Sequence, residues 1–224
     1  RFRIGIPPMS GTIFFPQLYQ AFQRENPEIT LLITECGSLH AEKLLARGEL
    51  DLAMATLPAP PSPEFSYLRL ARTQLMLCVS PAHRLANAPS VDISMLRDEP
   101  LVLFGPDTAP SRAVLSLFAE RQLRPNVLLY SSQLSMIQQF ISDGTAAAFL
   151  LDALARREPG LVAVPFSTPV YFDTDEELSA ALRSGTITAA VSNRMRQTSN
   201  EWVIDTFDNE DVYIAVRKGD ASTL

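Results

Sequence analysis

Ser10, Gly11 and Thr12 stand directly after the short apolar run Arg3-Ile4-Gly5-Ile6 and the pair Pro7-Pro8. Hydroxyls and a glycine where a strand gives way to a helix leave backbone N–H groups and the positive helix end facing one concavity. That is the chemistry that holds an anion. Gly37 and Ser38 repeat the arrangement after the apolar run Ile29 to Thr34. A serine or threonine before a helix is equally an ordinary N-cap, so the recurrence carries the reading rather than any single hydroxyl. Further along, Ser80, Phe104, Ser131 and Ser132 occupy positions that end strands or start helices, and they complete the expected ligand-binding set.

Catalysis finds little support in the residue types. His40 and His83 are the two histidines, one expected in a helix beside Ser38 and the other in a turn. No Gly-x-Ser-x-Gly elbow accompanies them, and neither common glycine-rich phosphate loop occurs. The acid run Asp173, Asp175, Glu176, Glu177 falls at a predicted helix start, where carboxylates meet the dipole favourably without any metal. Cys36 and Cys78 have neither metal nor CxxC spacing. Cys78 lies in the apolar run Leu75 to Val79 and reads as a small core hydrophobe, while Cys36 is at most a lining residue. No catalytic residue, metal site or cofactor is expected, and a binding role is favoured over an enzyme.

The elements that must position these residues follow from periodicity. Strands are predicted at Arg3 to Ile6, Ile29 to Thr34 and Leu50 to Ala55, with helices running through Phe22 and from Leu39 to about Ala46. Strand, helix, strand, helix, strand in apolar runs implies an α/β fold with a parallel sheet, in which ligands sit beyond the carboxyl ends of the strands. The Pro58 to Pro63 stretch is an extended connection, and Phe65 to Leu70 looks like an edge strand. A second set follows: strands at Gln74 to Ser80, Leu101 to Phe104, Asn126 to Tyr130 and Ala146 to Leu150, with helices from Ser111 to about Arg121 and from Gln133 to about Ile141. Thr108 to Ser111 and Ser131-Ser132 read as caps, so four capped helix starts are expected, two in each of two lobes. The predicted division is 1–72 for the first part of lobe one, 73–165 for lobe two and 166–224 for the return to lobe one. If the carboxyl edges face each other, the helix starts converge on one small anionic metabolite, most simply a carboxylate.

The chain has 224 residues, 46% of them hydrophobic and 20% charged, and a formal net charge of −6. Such a length buries a full core. Net negative charge without Lys and Arg clusters makes a poor nucleic-acid surface. No run is long and apolar enough to cross a bilayer, and no basic-plus-apolar leader opens the chain.

Several stretches, in order and at family spacing, carry a resemblance. They are Gly5-Ile6-Pro7 with Ser10-Gly11-Thr12 and Pro16, Phe22-Gln23-Arg24-Glu25-Asn26-Pro27, Gly37-Ser38, Leu44 to Ala53, Ser80 to Ala86, and Ser142-Asp143-Gly144. Residues 1 to about 170 resemble the effector-binding portion of a LysR-type transcriptional regulator. The resemblance implies a periplasmic-binding-protein-like (type II) fold of two lobes joined by two crossing strands. It also implies a cytoplasmic regulator that contacts DNA only through an N-terminal winged helix-turn-helix domain absent from this sequence. Its effector domains would pair side by side and antiparallel as a homo-oligomer. The tail, Tyr171 to Ala190 and Asp211 to Asp220, resembles instead the closing part of polar amino-acid solute-binding proteins. An extracytoplasmic solute receptor for an amino acid or organic acid, or a chimaera of the two families, therefore stands as the alternative.

Overall fold

A computed structural model of the chain describes residues 1–56, 65–69, 73–170, 195–197, 202–204 and 213–217. The chain divides into two compact units, one of Arg1–Arg72 with Phe172–Leu224 and one of Thr73–Tyr171. The tail stretch Tyr171 to Ala190, with the helix start expected at the acid run 173–177, and the proline-rich connection at 58–63 lie outside the described residues.

In the first unit, β1 (Phe2–Ile6), α1 (Pro8–Glu25), β2 (Leu31–Glu35), α2 (Ser38–Ala46), β3 (Leu52–Ala55) and β4 (Phe65–Arg69) follow in chain order. α1 covers the sheet because Phe14, Leu18 and Phe22, spaced four apart, fall on one face and are buried together. The Phe22 ring stacks on Phe2 of β1 with centroids 6.3 Å apart. Burying each such side chain contributes about 1.5–3 kcal/mol. α2 ends at a turn in which Gly48, at φ 70°, donates its N–H to the Leu45 carbonyl at 2.9 Å, a left-handed conformation that glycine adopts without a Cβ clash.

Parallel pairing of β1 with both β2 and β3 sets the carboxyl ends of the three strands at one edge. The later chain supplies β12 (Tyr213–Arg217), which inserts antiparallel between β3 and β4 to give the order β2-β1-β3-β12-β4. β4 is the edge strand that its pattern predicted. A further antiparallel pair, β10 (Met195–Gln197) with β11 (Trp202–Ile204), was not foreseen.

The second unit contains β5 (Leu75–Val79), a 3-10 turn (Ile93–Leu96), β6 (Pro100–Leu103), α3 (Ala109–Glu120), β7 (Asn126–Tyr130), α4 (Leu134–Ser142), β8 (Ala148–Leu151), the single turn α5 (Asp152–Ala155) and β9 (Val162–Pro165). β6 runs parallel to β7, and a parallel bridge from Leu101 to Ala147 joins β6 to the approach of β8. β5 then lies antiparallel between β8 and β9. All residues of β5 and β8 are buried, as strands covered on both faces must be. Val114 with Phe118 on α3 and Ile137 with Ile141 on α4 are i, i+4 pairs that close the core. The turn after β5 is tied down by His83, whose Nδ1 accepts the Leu85 N–H at 3.1 Å, leaving Nε2 to donate to Glu99 at 2.8 Å.

Four capped helix starts were expected, and the structure corrects this. α1, α2, α3 and α4 begin at Pro7, Gly37, Thr108 and Gln133, and none of these makes a side-chain cap bond. Prolines in the first turns of α1 and α3 fix the backbone angle a helix needs, so α1 starts ahead of Ser10 and α3 ahead of Ser111. Thr108 does sit at the cap position, but its Oγ1 donates back to the Gly105 carbonyl at 2.8 Å. Ser131 Oγ accepts from the Gln133 N–H at 3.0 Å, a turn preceding α4 rather than a cap within it.

Candidate functional site

The first unit's edge is built where β1 runs into α1. Pro7 and Pro8 lack N–H groups, and the first helical bond runs from the Gly11 N–H to the Pro7 carbonyl at 2.8 Å. Only Met9 and Ser10 therefore present first-turn amides without intrahelical acceptors. Ser10 Oγ is buried, with the residue 0% exposed, and has no hydrogen-bond partner. A buried hydroxyl without a partner costs about 1–3 kcal/mol. Such a group, beside two free amides at the positive end of an 18-residue helix, is suited to an anion.

The neighbours expected to share this role divide. Ser38 begins α2 at the same edge and is buried, but its Oγ accepts the Thr56 N–H at 2.9 Å and so ties the end of β3 to α2. Gly37 is the buried N-cap of α2. Thr12 is exposed and back-bonds to the Pro8 carbonyl at 2.9 Å. Gly11 serves packing, since a Cβ there would collide with Ile6 Cγ2.

In the second unit the carboxyl ends of β6, β7 and β8 share one edge, because the three run parallel. Phe104, Ser131 and Ser132 follow β6 and β7 at that edge. Phe104 is buried, and its carbonyl accepts from Ser111 Oγ at 2.7 Å. Ser80 does not join them. It ends β5, which runs antiparallel to β8, so Ser80 stands at the opposite edge, with its Oγ 3.6 Å from where a Cβ on Gly144 would lie.

Antiparallel β5 instead brings its amino end to the carboxyl edge of β6, β7 and β8, and there sequence reasoning missed a cluster. Asp152, the residue after β8, accepts at Oδ1 from Thr73 Oγ1 at 2.9 Å, from its neighbour Ala153 N–H at 2.9 Å and from the Gln74 N–H at 3.5 Å. Its presence after an apolar strand was the one available signal. Away from this edge, a recess of about 250 Å³ lies between Val91–Ile93, the last turn of α3 and Phe166–Thr168, beside the Asp92–Arg121 ion pair at 3.1 Å.

Cys78 is buried in β5, and desolvation pushes its thiol up to about 12. It is a core residue, not a nucleophile. Among the described residues no group of three or more His, Cys, Asp or Glu side chains forms a metal site. None of the described helices is long and apolar enough to cross a membrane.

Two units, each an α/β sheet with helix starts along one edge, define a protein of the type II periplasmic-binding-like class. The solved effector-binding domain of QuiR in complex with shikimate superposes with a TM-score of 0.65 at 16% identity, over 97% of this chain and 87% of that one. The regulatory domain of Synechocystis PCC6803 CcmR in complex with 2-PG gives 0.63 at 18% identity, over 98% and 88%. The model of the LysR substrate binding domain matches residues 1–219, and the chain belongs to that family, the effector-binding domain of LysR-type transcriptional regulators. The match continues far beyond residue 170, so the family model covers most of the tail as well as the front. The HTH-type transcriptional regulator YwbI of Bacillus subtilis (strain 168) is 29% identical over 191 residues, 81% of this chain and 63% of that protein. The chain spans between 55% and 63% of the length of the first three curated relatives it matches.

Proposed function

We infer that the chain senses a small carboxylate-bearing metabolite on behalf of a transcriptional regulator. The carboxylate lies on the amino end of α1, taking the Met9 and Ser10 amides and the Ser10 hydroxyl, with Gly37 and Ser38 framing the edge. In the second unit Phe104, Ser131 and Ser132 stand at the corresponding carboxyl edge of its strands. The observation that carries this reading is the buried, unpartnered Ser10 Oγ beside free helix amides. Relatives named as transcriptional regulators favour this role over a transport receptor or an enzyme.

Regulation would pass to DNA through another part of the protein, within the cytoplasm. The domain pairs with a second copy through its exposed apolar surfaces, Leu32 and Ile33 on edge strand β2 with Tyr19 on α1 in one unit, and Leu128 and Tyr130 on edge strand β7 with Met136 on α4 in the other. The ligand reading is tested by a thermal-shift screen of carboxylates against wild type and Ser10→Ala. A ligand at a hundred times its dissociation constant adds about 2.7 kcal/mol. Unchanged affinity in a folded Ser10→Ala protein would remove α1 from the site.

A further inference from the structure

We propose that the recess beside the Asp92–Arg121 ion pair is a ligand site of its own, for a small organic cation: a primary ammonium carried on an apolar body and bearing no carboxylate. The recess lies wholly within the second unit and shares no residue with Ser10, Phe104, Ser131 or Asp152, so it stands independently of the anion reading above.

Its floor is apolar and firmly held. Val91 and Ile93 come from the entry to the 3-10 turn, Phe166 from the residue after β9 and Leu117 from α3. Val91, Ile93 and Phe166 are buried, and Leu117 is half-buried. Two backbone bonds lace the outer segments together: the Val91 N–H donates to the Pro165 carbonyl and the Ser167 N–H to the Val91 carbonyl, each at 2.8 Å. Ser167 Oγ donates to that same Val91 carbonyl at 2.9 Å, so its proton is already engaged. The volume of about 250 Å³ falls just below that of cavities for drug-sized ligands, about 300–1,000 Å³. It suits a compact molecule with one apolar group.

Charge decides the polar end. Asp92 Oδ1 accepts from the Ser94 N–H at 3.0 Å and from Ser94 Oγ at 2.6 Å, and Oδ2 pairs with Arg121 at 3.1 Å. Asp92 and Arg121 therefore neutralise each other. The Glu120 side chain, exposed on the last turn of α3, has no ion pair or hydrogen bond among the described residues. Its carboxylate adds to the negative end of the α3 dipole, so the rim carries one uncompensated negative charge. An ammonium meets that charge while its hydrocarbon covers the floor. A ligand carboxylate would meet like charge there, and Arg121, the one cation of the lining, is held by Asp92.

The probes are 2-phenylethylamine and butylamine, their neutral counterparts 2-phenylethanol and butanol, and phenylalanine, which adds a carboxylate to the first amine. Each is titrated by thermal shift into the whole chain at low and at high salt, as wild type, Glu120→Gln, Leu117→Lys and Ser10→Ala. At least one amine should stabilise wild type, more tightly than its alcohol, and phenylalanine should not. Glu120→Gln should weaken that amine about three- to fivefold, the upper part of what a partly solvated ion pair supplies, and high salt should weaken it too. Leu117→Lys, which lays its own stem and ammonium in the recess, should abolish binding, and Ser10→Ala should leave it unchanged. If Leu117→Lys does not fold, Glu120→Gln decides alone, since the exposed Glu120 side chain holds no bond whose loss would unfold the domain. Equal binding of amine and alcohol, phenylalanine binding as tightly as phenylethylamine, or an amine affinity untouched by Glu120→Gln would each overturn the inference. So would an amine site lost in Ser10→Ala, or no stabilisation by either amine; both of these leave the carboxylate reading to its own screen.

Discussion

Ser10 and Ser38 are one residue type at matching turns, yet they do opposite work. Ser38 holds the Thr56 N–H, whereas Ser10 holds nothing. Ser38→Ala should therefore destabilise the unliganded domain by about 1–3 kcal/mol in urea unfolding, since it leaves a buried amide unmatched. Ser10→Ala should leave unliganded stability level or slightly higher while ligand affinity falls. Sequence alone placed both hydroxyls at one edge of the sheet but could not separate them, because the partner that occupies Ser38 comes from the end of a strand 18 residues on. The tie between Asp152 and Thr73 was illegible for a related reason, as the two lie 79 residues apart. Cys78, with its thiol pushed to about 12 by burial, should resist a thiol reagent at pH 8 until the domain is unfolded; rapid labelling of the native protein at Cys78 would contradict the packing described. Asp92 has its pKa lowered by hydrogen bonds from Ser94, with Arg121 adding a smaller attraction. A lowered carboxylate contributes stability that is complete above its unfolded value, about 3.9, and is lost as pH falls through the folded one. Asp92→Asn should accordingly flatten the stability profile below about pH 4 and leave its slope near neutrality unchanged, as read by denaturation at a series of pH values.

At the scale of elements, apolar periodicity located the strands and helices of residues 1–56 and 73–151 to within a few positions, except for the 3-10 turn Ile93–Leu96, and it did not foresee α5. Direction was harder. The run Leu75 to Val79 reads as a strand whichever way it points, and only pairing with β8 and β9, whose partner residues lie 70 to 89 positions later, turns it antiparallel and sends Ser80 to the far edge. Helix starts were misjudged because hydroxyls were weighed above prolines, whose fixed φ begins α1 ahead of Ser10. α1 also shows where packing outweighs propensity. Alanine is worth about 1 kcal/mol over glycine in an open helix, but at Gly11 a Cβ collides with Ile6 of β1. Overpacking costs about 1–3 kcal/mol, so Gly11→Ala should lower the melting temperature and displace the first turn of α1. A more stable variant would show that α1 sits farther from β1 than described.

For the whole molecule, the order of short motifs disclosed the family although no single motif was specific, since fold is carried by spacing that many residues share. The two short strands at 195–197 and 202–204 escaped notice because three residues give no readable alternation. Assembly was legible only in part. The helical run of α1 carries the exposed Tyr19, but the exposure of Leu32 (43%) and Ile33 (52%) follows from β2 being the outermost strand, a fact of topology. Ile33→Glu should shift the protein toward monomer in sedimentation or light scattering while preserving its circular dichroism. An unchanged mass would move the pairing surface elsewhere.

The seat of β12 between β3 and β4 has a consequence for how the protein is made. A ribosome releases residues 1–69 well ahead of residues 213–217, and the gap beside β3 stays open until the latter arrive to fill it. By then every residue of the second unit, Thr73–Tyr171, has been synthesised. Throughout that interval the nascent first unit exposes Ala53, Met54 and Ala55 as an unpaired strand edge, a template for wrong partners. Premature termination anywhere before residue 213 would make that vulnerable edge permanent, so shortened messages yield a product suited to chaperones and proteases rather than to sensing.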